Sequence, residues 1–414
     1  MTELEAARSG HVTDLVAALA VEEGIEPEHL RRLVAAGTAV VMAGPDRRPL
    51  AIGGGLSVKV NANVGTSTSA ADIDLEVRKT ALAAELGART ISDCSVGGDL
   101  DRVRRALLGA SSLPVITVPM YQAAAEAGGA AAVTDELLFD VLERQLVDGA
   151  SGVVIHAAMD PALLAVLRSR IMGLVSRGGQ LTARWMDARG RGTPLGDRLD
   201  DVLALLKRRD AVLVIGNTAR SGCVHDRLDE GHRREAVLGE EVARRASTAG
   251  VQVIVEAVGG HVHVGDVGEH VRVYKSQGGR PIFAAGPLTI DVAMGHDHLT
   301  AVVGGSLAAG AGADLLCYIT PAEHLGLPTL DDVRDGTIAC VIAAYHGDAM
   351  RRGPMPRDLE LARARRRFDW SGQFRAALNP RRAMERHEPG EGCSMCGEFC
   401  PMREPIPPPP GPRG

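Results

Sequence analysis

The chain has 414 residues, of which 24% are charged and 3% aromatic, and its formal net charge is −6. This length suits one barrel with appendages or two to three domains. The lack of a basic excess and the scarcity of aromatic side chains argue against a nucleic-acid-binding protein, and no apolar run is long enough to span a membrane.

Residues 1–55 make up the first predicted domain. Apolar residues recur at helical spacing over 13–23 and 27–36, which predicts two short amphipathic helices. The first residues lack the features of a signal peptide, so we expect a cytoplasmic protein. We interpret this stretch as a small N-terminal helical domain.

Residues 56–328 alternate between short β-branched runs and helical stretches. Eight strands are predicted, at 58–64, 90–95, 115–121, 152–156, 170–175, 212–216, 252–256 and 281–285. Helix starts are indicated by Thr134 and Asp160, and helix ends by Gly149 and Gly250. This alternation predicts an α/β fold, a (β/α)8 TIM-type barrel, with a doubly wound open sheet as the alternative.

Polar or glycine-rich residues follow the predicted strands. They are Asn61, Asn63, Asp93, Ser95, Tyr121, Gln122, His156, Ser176, Arg177, Asn217, Arg220, Glu256, His261 and Gly286. The carboxyl ends of barrel strands meet on one face, where catalytic residues collect. Each residue alone could be an ordinary loop residue, but together they predict an active site on that face.

The C-terminal part of the chain changes character. Residues 329–390 are charged and helical in pattern, and they predict a helical extension beyond the barrel. Residues 391–402 hold a cysteine cluster. Residues 403–414 are a proline-rich tail that we expect to be disordered.

Three of the seven cysteines, Cys393, Cys396 and Cys400, lie within eight residues. Three thiolates are one short of the four that close a zinc or iron–sulfur site. A fourth ligand from elsewhere would complete a structural zinc site, whereas a 4Fe–4S cluster on three cysteines would leave one iron open to a ligand. A flexible tail with free thiols is the third interpretation. An odd number of cysteines with a clustered triplet suits a reducing cytoplasm.

Four motifs together resemble the phosphomethylpyrimidine synthase (ThiC) family of radical S-adenosylmethionine enzymes. They are VKVNAN at 58–63, MGLVSRGG at 172–179, CYITPAEHL at 317–325 and CSMCGEFC at 393–400. The resemblance covers about residues 1–402. It implies a carbon–carbon lyase that rearranges 5-aminoimidazole ribotide. It also implies a 4Fe–4S cluster on Cys393, Cys396 and Cys400, S-adenosylmethionine, an electron donor such as flavodoxin or ferredoxin, and a homodimer.

The resemblance also implies the substrate-binding residues. These are Asn63, Ser92, Tyr121, His156, Ser176, Arg177, Gly178, Asn217, Thr218, Ala219, Arg220, Glu256 and Phe283. Glu256, Tyr121 and His156 are the implied catalytic residues, as a base or as groups that transfer protons and orient the ring. Independently of the resemblance, the glycine turn at 176–179 and the guanidinium of Arg177 could bind a phosphate, although a basic turn without a ligand has the same pattern.

His261 and His298 are predicted to bind one divalent metal ion, zinc or iron. Two imidazoles from neighbouring loops can hold such an ion with open positions, although loop histidines are often bystanders. The resemblance implies two metal-binding histidines at these motifs. His263 is an additional candidate, because the family pattern has no histidine there.

Three positions depart from the family pattern: Asn217 stands in place of an aspartate, Ser92 of a methionine and Phe283 of a tyrosine. Changed donors and acceptors in a polar site alter selectivity. We therefore predict the 5-hydroxybenzimidazole synthase (BzaF) branch, which serves cobamide biosynthesis, with the thiamin pyrimidine phosphate as the alternative product. An alternative of another class is a zinc-dependent barrel hydrolase or lyase with a structural cysteine site.

Overall fold

The computed structural model describes residues 1–44, 46–388 and 393–403. The chain divides into two compact units, Met1–Arg351 and a second unit that begins at Arg352, and each is described by itself. From residue 404 onward, the tail that we expect to be disordered lies outside the described residues, as do residues 391 and 392 of the cysteine loop. The sequence-based domain limits remain predictions.

The N-terminal part of the first unit combines helices with a hairpin. Its elements are α1 (Glu3–Arg8), α2 (Asp14–Glu23), α3 (Pro27–Ala36), β1 (Ala39–Met42) and β2 (Leu50–Gly53). Strands β1 and β2 pair antiparallel, with Ala39 opposite Gly53. These elements share an apolar cluster that includes Leu4, Val16 and Leu30. Helices α2 and α3 were predicted, whereas α1 and the hairpin were not.

Eight parallel strands close into a barrel in chain order, which confirms the predicted α/β fold. They are β3 (Lys59–Val64), β4 (Thr90–Asp93), β5 (Val115–Thr117), β6 (Gly152–Ile155), β7 (Val212–Ile215), β8 (Val253–Ala257), β9 (Ile282–Ala285) and β10 (Leu315–Cys317). The first and last strands pair, with Asn61 opposite Cys317. Nearly continuous burial along the strands explains why they are rich in Val, Ile and Leu rather than alternating.

Eleven helices of the first unit follow the barrel strands. They are α4 (Ile73–Leu86), α5 (Leu100–Ala110), α6 (Pro119–Glu126), α7 (Asp135–Asp148), α8 (Pro161–Arg168), α9 (Arg177–Arg189), α10 (Leu199–Arg209), α11 (Glu230–Ala249), α12 (Val267–Gly278), α13 (Asp297–Ala311) and α14 (Leu330–Arg352). Side-chain caps begin several of them; Thr134 and Asp160 accept from backbone N–H groups as predicted. Alternation of strand and helix directs the strand ends to one face.

The predicted strand at 170–175 is wrong, since these residues form an irregular loop, and the barrel is completed instead by β10. The N–H groups of Ile171 and Met172 donate to the Asp226 carboxylate, at 2.8 and 3.0 Å, rather than to a neighbouring strand. Both side chains are exposed, at 73% and 53%. Their apolar character therefore reflects a surface above the barrel and not a buried strand.

The second unit is helical in its described part. It contains α15 (Pro356–Arg366), α16 (Trp370–Ala376), α17 (Pro380–Arg386) and a 3-10 turn at Gly397–Phe399. The ring of Trp370 stacks on that of His387, with centroids 3.9 Å apart. Among the described residues of the whole chain, no helix is both long and apolar enough to cross a membrane.

Candidate functional site

A cavity of about 840 Å³ opens at the carboxyl ends of the barrel strands. Of the residues singled out in the sequence, it brings Asn63, Tyr121, Arg177, Arg220 and His261 onto one surface. These residues come from five different strand-and-helix units of the barrel. We call this space the barrel-mouth cavity.

Arg220 lines this cavity and is ion-paired with Glu256, which lies on β8. Arg220 donates from Nη2 to Glu256 Oε1, and the N–H of Asn217 donates to Glu256 Oε2 at 3.1 Å. Burial lowers the pKa of Arg220, but the adjacent Glu256 carboxylate outweighs it and the pKa lies above its usual value. The Arg220 guanidinium therefore keeps its charge, and the geometry of the pair is set before a ligand binds.

Glu235, on α11, organises the loop after β7 and was not anticipated from the sequence. Its carboxylate accepts from Asn217 Nδ2 at 2.6 Å, from the N–H groups of Thr218 and Ala219 at 2.5 and 2.8 Å, and from the Tyr274 hydroxyl at 2.7 Å. Burial raises the pKa of Glu235 to about 7. The backbone N–H groups of Asn217, Thr218 and Ala219 and the Asn217 amide are thus bonded to the protein.

His156 occupies a slot between two glycines. A Cβ at Gly178 would come within 2.2 Å of the imidazole, and one at Gly216 within 2.7 Å, so neither position accommodates a side chain without displacing the ring. Burial lowers the pKa of His156 to about 4, which keeps the ring neutral near pH 7. Its Nε2 lies 3.3 Å from Ser176 Oγ.

Helix α9 begins at the cavity. Ser176 caps it by accepting from the N–H of Gly179 at 3.2 Å. Arg177, the first helical residue, lies with its guanidinium carbon 5.3 Å from the centroid of the Tyr121 ring. A helix N-terminus beside a guanidinium is suited to an anion. Burial raises the pKa of Tyr121, so the phenol keeps its proton and can donate a hydrogen bond.

Two of the predicted substrate-binding residues lie inside the barrel, below the cavity surface. Ser92 donates to Asn61 Oδ1 at 3.0 Å, and Asn61 in turn donates to Asn63 Oδ1 at 2.9 Å. Phe283 is buried on β9, opposite Glu256 in the strand register. They support the residues that line the cavity.

His261 is held at the rim of the barrel-mouth cavity by Asp291. Its Nδ1 lies 2.7 Å from Asp291 Oδ1, and the His261 N–H donates to the carbonyl of Ser221 at 2.9 Å. The ring stacks on His324, with centroids 5.0 Å apart, and both histidines line the cavity. A carboxylate on Nδ1 leaves Nε2 available to a metal, the usual arrangement around histidine ligands.

His298 and His263 lie in different surroundings. His298 lines a separate small cavity, and its buried Nδ1 has no hydrogen-bond partner among the described residues. His263 accepts from the N–H of Gly265 at 3.2 Å and so caps a short turn. The structure thus pairs His261 with His324, which lies within the motif at 317–325 but was not singled out from the sequence.

The cysteine cluster has the donor chemistry of a metal site without the assembled geometry. All seven cysteines are free, with Cys393 and Cys396 exposed and Cys400 buried. In the parts of the chain that the structure describes, no three His, Cys, Asp or Glu side chains are arranged to hold a metal ion. Three free thiols on one short turn match the ligands of an iron–sulfur cluster.

Comparison with known proteins gives consistent matches over nearly the whole chain. The model of the radical SAM ThiC family matches residues 2–405. The 5-hydroxybenzimidazole synthase of Geobacter sulfurreducens is 43% identical over 420 aligned residues, which cover 97% of this chain and 96% of that protein. The phosphomethylpyrimidine synthases of Carboxydothermus hydrogenoformans and Thermus thermophilus are 42% and 41% identical, covering 97% of this chain and 98% and 96% of theirs.

Proposed function

This chain belongs to the radical SAM ThiC family, and from that premise we propose that it rearranges 5-aminoimidazole ribotide to 5-hydroxybenzimidazole in the barrel-mouth cavity. The family membership favours radical chemistry over a zinc-dependent hydrolase or lyase. The observation that carries the substrate proposal is the barrel-mouth cavity itself, which is lined by the guanidinium groups of Arg177 and Arg220 and the phenol of Tyr121. Two further groups adjoin these: the Glu256 carboxylate, which is ion-paired with Arg220, and the neutral His156 ring, which lies beside Ser176.

The N-terminus of α9 is the proposed phosphate site. Ser176, Arg177 and Gly178 present a hydroxyl, a guanidinium and backbone N–H groups at a helix start, which suits a dianion. The glycine at 178 also makes room for the His156 ring. Phosphate binding here would leave the ribose and the aminoimidazole toward Glu256.

Glu256 is the proposed acceptor for ribose hydroxyl groups. One of its oxygens is bound by Arg220 and the other by a backbone N–H, so the carboxylate cannot swing away from the wall. The protonated phenol of Tyr121 and the neutral ring of His156 are proposed to orient the imidazole and to move protons.

The cofactors implied by the family fit the donor chemistry of the chain. Cys393, Cys396 and Cys400 would hold the 4Fe–4S cluster, which with S-adenosylmethionine supplies a radical for hydrogen abstraction. The imidazole rings of His261 and His324 would bind one divalent ion, zinc or iron, because the two rings are adjacent and Asp291 orients that of His261. A homodimer, a flavodoxin or ferredoxin donor, and a cytoplasmic location remain predictions.

The choice between the two products rests on a single position, Asn217. The amide of Asn217 replaces a carboxylate and is bound by Glu235, which removes one proton acceptor from the region behind Arg220. A relative named 5-hydroxybenzimidazole synthase supports this product, while relatives named phosphomethylpyrimidine synthase support the pyrimidine at similar identity.

Product analysis separates these outcomes. Reconstituted, reduced enzyme is incubated with 5-aminoimidazole ribotide and S-adenosylmethionine, and the products are identified by mass spectrometry. We expect 5-hydroxybenzimidazole. Phosphorylated hydroxymethylpyrimidine as the sole product would refute the proposed branch, and 5′-deoxyadenosine without either product would refute the substrate. Asn217→Asp, which restores the carboxylate, is expected to raise the pyrimidine fraction if this position steers the reaction.

A further inference from the structure

Two lysine side chains in the first unit are almost completely buried, and each is paired with a glutamate. The Lys59 and Lys79 side chains are 4% and 2% exposed, and their Nζ atoms lie 2.7 Å from Glu23 and 2.6 Å from Glu76. The two pairs are therefore alike in burial and in separation. They differ in how well each ammonium group is hydrogen-bonded.

Lys59 has an acceptor for each of its three N–H donors. Besides Glu23 Oε1, its Nζ lies 2.5 Å from the carbonyl oxygen of Ser57 and 2.6 Å from its hydroxyl. Lys79 has one acceptor among the described residues, Glu76 Oε1. Buried polar groups are nearly always paired, so two donors of Lys79 call for an acceptor that the described chain does not supply.

The surroundings of Lys79 indicate where that acceptor comes from. Lys79 and Glu76 line the barrel-mouth cavity, whereas Lys59 does not. Glu76 Oε2 accepts from the N–H of Gly65 at 2.8 Å, which ties the pair to the loop after β3. A Cβ on Gly65 would lie 2.5 Å from the nitrogen of Ser95, so that loop packs directly on the loop after β4.

The same corner of the cavity adjoins the proposed phosphate site. Arg177 donates from Nη1 to the carbonyl of Cys94, at 3.4 Å, on the loop that packs against Gly65. Two cationic groups, the Lys79 ammonium and the Arg177 guanidinium, thus flank one loop and line one space. A single carboxylate, Glu76, accounts for only part of the hydrogen-bonding capacity of Lys79.

We propose that Lys79 is a ligand-binding residue whose ammonium group, oriented by Glu76, binds an oxyanion of a small molecule in the barrel-mouth cavity. The inference rests on the proposed function, which brings two anionic ligands to this cavity: the phosphate of the ribotide and the carboxylate of S-adenosylmethionine. Both offer oxygen acceptors, and a compact ammonium group recognises either one as a point charge. The Glu76 partner holds the ammonium in place, so ligand binding costs little side-chain freedom.

The test compares the two buried pairs. Replacing lysine alone would strand a buried carboxylate, so the variants are Lys79→Met with Glu76→Gln and, as the matched control, Lys59→Met with Glu23→Gln. Reconstituted holoenzyme is titrated anaerobically with 5-aminoimidazole ribotide and, separately, with S-adenosylhomocysteine, which keeps the carboxylate. Thermal unfolding is recorded for each protein.

We expect the Lys79 pair to weaken the affinity for one ligand by roughly 10- to 100-fold, as for other hydrogen bonds to charged groups, with the Lys59 pair unchanged. A loss for the ribotide identifies the phosphate, a loss for S-adenosylhomocysteine identifies the carboxylate, and a loss for both indicates a shared site. If this double variant does not fold, Lys79→Gln combined with Glu76→Gln, which also leaves no buried charge unpaired, is expected to show the same ligand preference.

Other outcomes overturn the inference. If the Lys79 variants keep wild-type affinity for both ligands, the Lys79–Glu76 pair has only a structural role, whatever the change in melting temperature. Equal losses of ligand affinity in the Lys79 and Lys59 double variants would show that the effect comes from general destabilisation. If the wild-type protein binds neither ligand, the proposed function fails and this inference fails with it, a result that the wild-type titration alone distinguishes from the other two.

Discussion

The barrel-mouth cavity and the cysteine turn at 393–400 differ in how far the protein alone organises them. At the cavity, Arg220 is joined to Glu256, both side chains bond to the backbone of Asn217, and Glu235 fixes that loop. On the turn, the three thiols are free, and the described residues assemble no set of three metal ligands. The proposed substrate-binding groups are thus positioned in advance, whereas the proposed cysteine ligands would require their metal to draw them together.

Removing one cysteine tests the metal-dependent region and should have the largest effect. Cys396→Ala is expected to abolish iron–sulfur assembly and the cleavage of S-adenosylmethionine, because the remaining thiols cannot hold the cluster. Iron and sulfide content, visible absorbance and 5′-deoxyadenosine formation measure this. Cys340→Ala, which removes a thiol buried in the barrel unit, is the control and should retain the cluster. Full cleavage activity in Cys396→Ala would exclude this turn as the cluster site.

Neutralising Glu256, the ion-pair partner of Arg220, tests the preorganised region. Glu256→Gln is expected to lower kcat/KM by roughly 100-fold, because a charged acceptor for the substrate and the partner of Arg220 are lost together. Glu240→Gln is the matched control, since Glu240 forms a similarly buried ion pair at 3.0 Å, but with Arg280, which does not line the cavity as Arg220 does. Equal losses of activity in the two variants would show that Glu256 contributes only to stability.

Replacing His261 or His324, at the rim of the cavity, tests whether these two histidines bind a second metal ion. His261→Ala and His324→Ala are each expected to lower bound zinc or iron by at least 10-fold after dialysis, because their rings adjoin and Asp291 orients one of them. His298→Ala should keep the metal, since His298 lines a separate cavity. Loss of the metal in His261→Ala and His298→Ala, with retention in His324→Ala, would restore the pair predicted from the sequence.

The barrel could be predicted because its strands are almost completely buried and its helices carry local capping signals, both of which leave a pattern along the chain. Two errors have a local cause. The loop at 170–175 has the composition of a strand, and β10, at Leu315–Cys317, is only three residues long. Neither exposure nor barrel closure can be deduced from such short runs.

The site was less accessible to sequence reasoning, because its contacts join residues far apart in the chain. Glu235 lies within a long helix and bonds to Tyr274, 39 positions away. The pairing of His261 with His324 depends on the closure of the barrel, so it could not be read from the loop motifs alone. His156 was identified through the family pattern, whereas its neutral state follows from burial that only the fold supplies.

The smallest expected effect concerns the pH dependence of the preorganised region. The pKa of His156 is lowered by burial from 6.5 to about 4, so between these pH values the unfolded chain binds a proton that the folded protein does not. Stability must then fall as the pH drops through this window, by on the order of 3 kcal/mol for this group. Urea unfolding of wild type and His156→Gln at pH 7 and pH 4.5 measures it, with the exposed His29→Gln as the control. The variant should lose less stability on acidification than wild type or the control; a parallel loss in all three proteins would show that the imidazole is not held neutral in its slot between the two glycines.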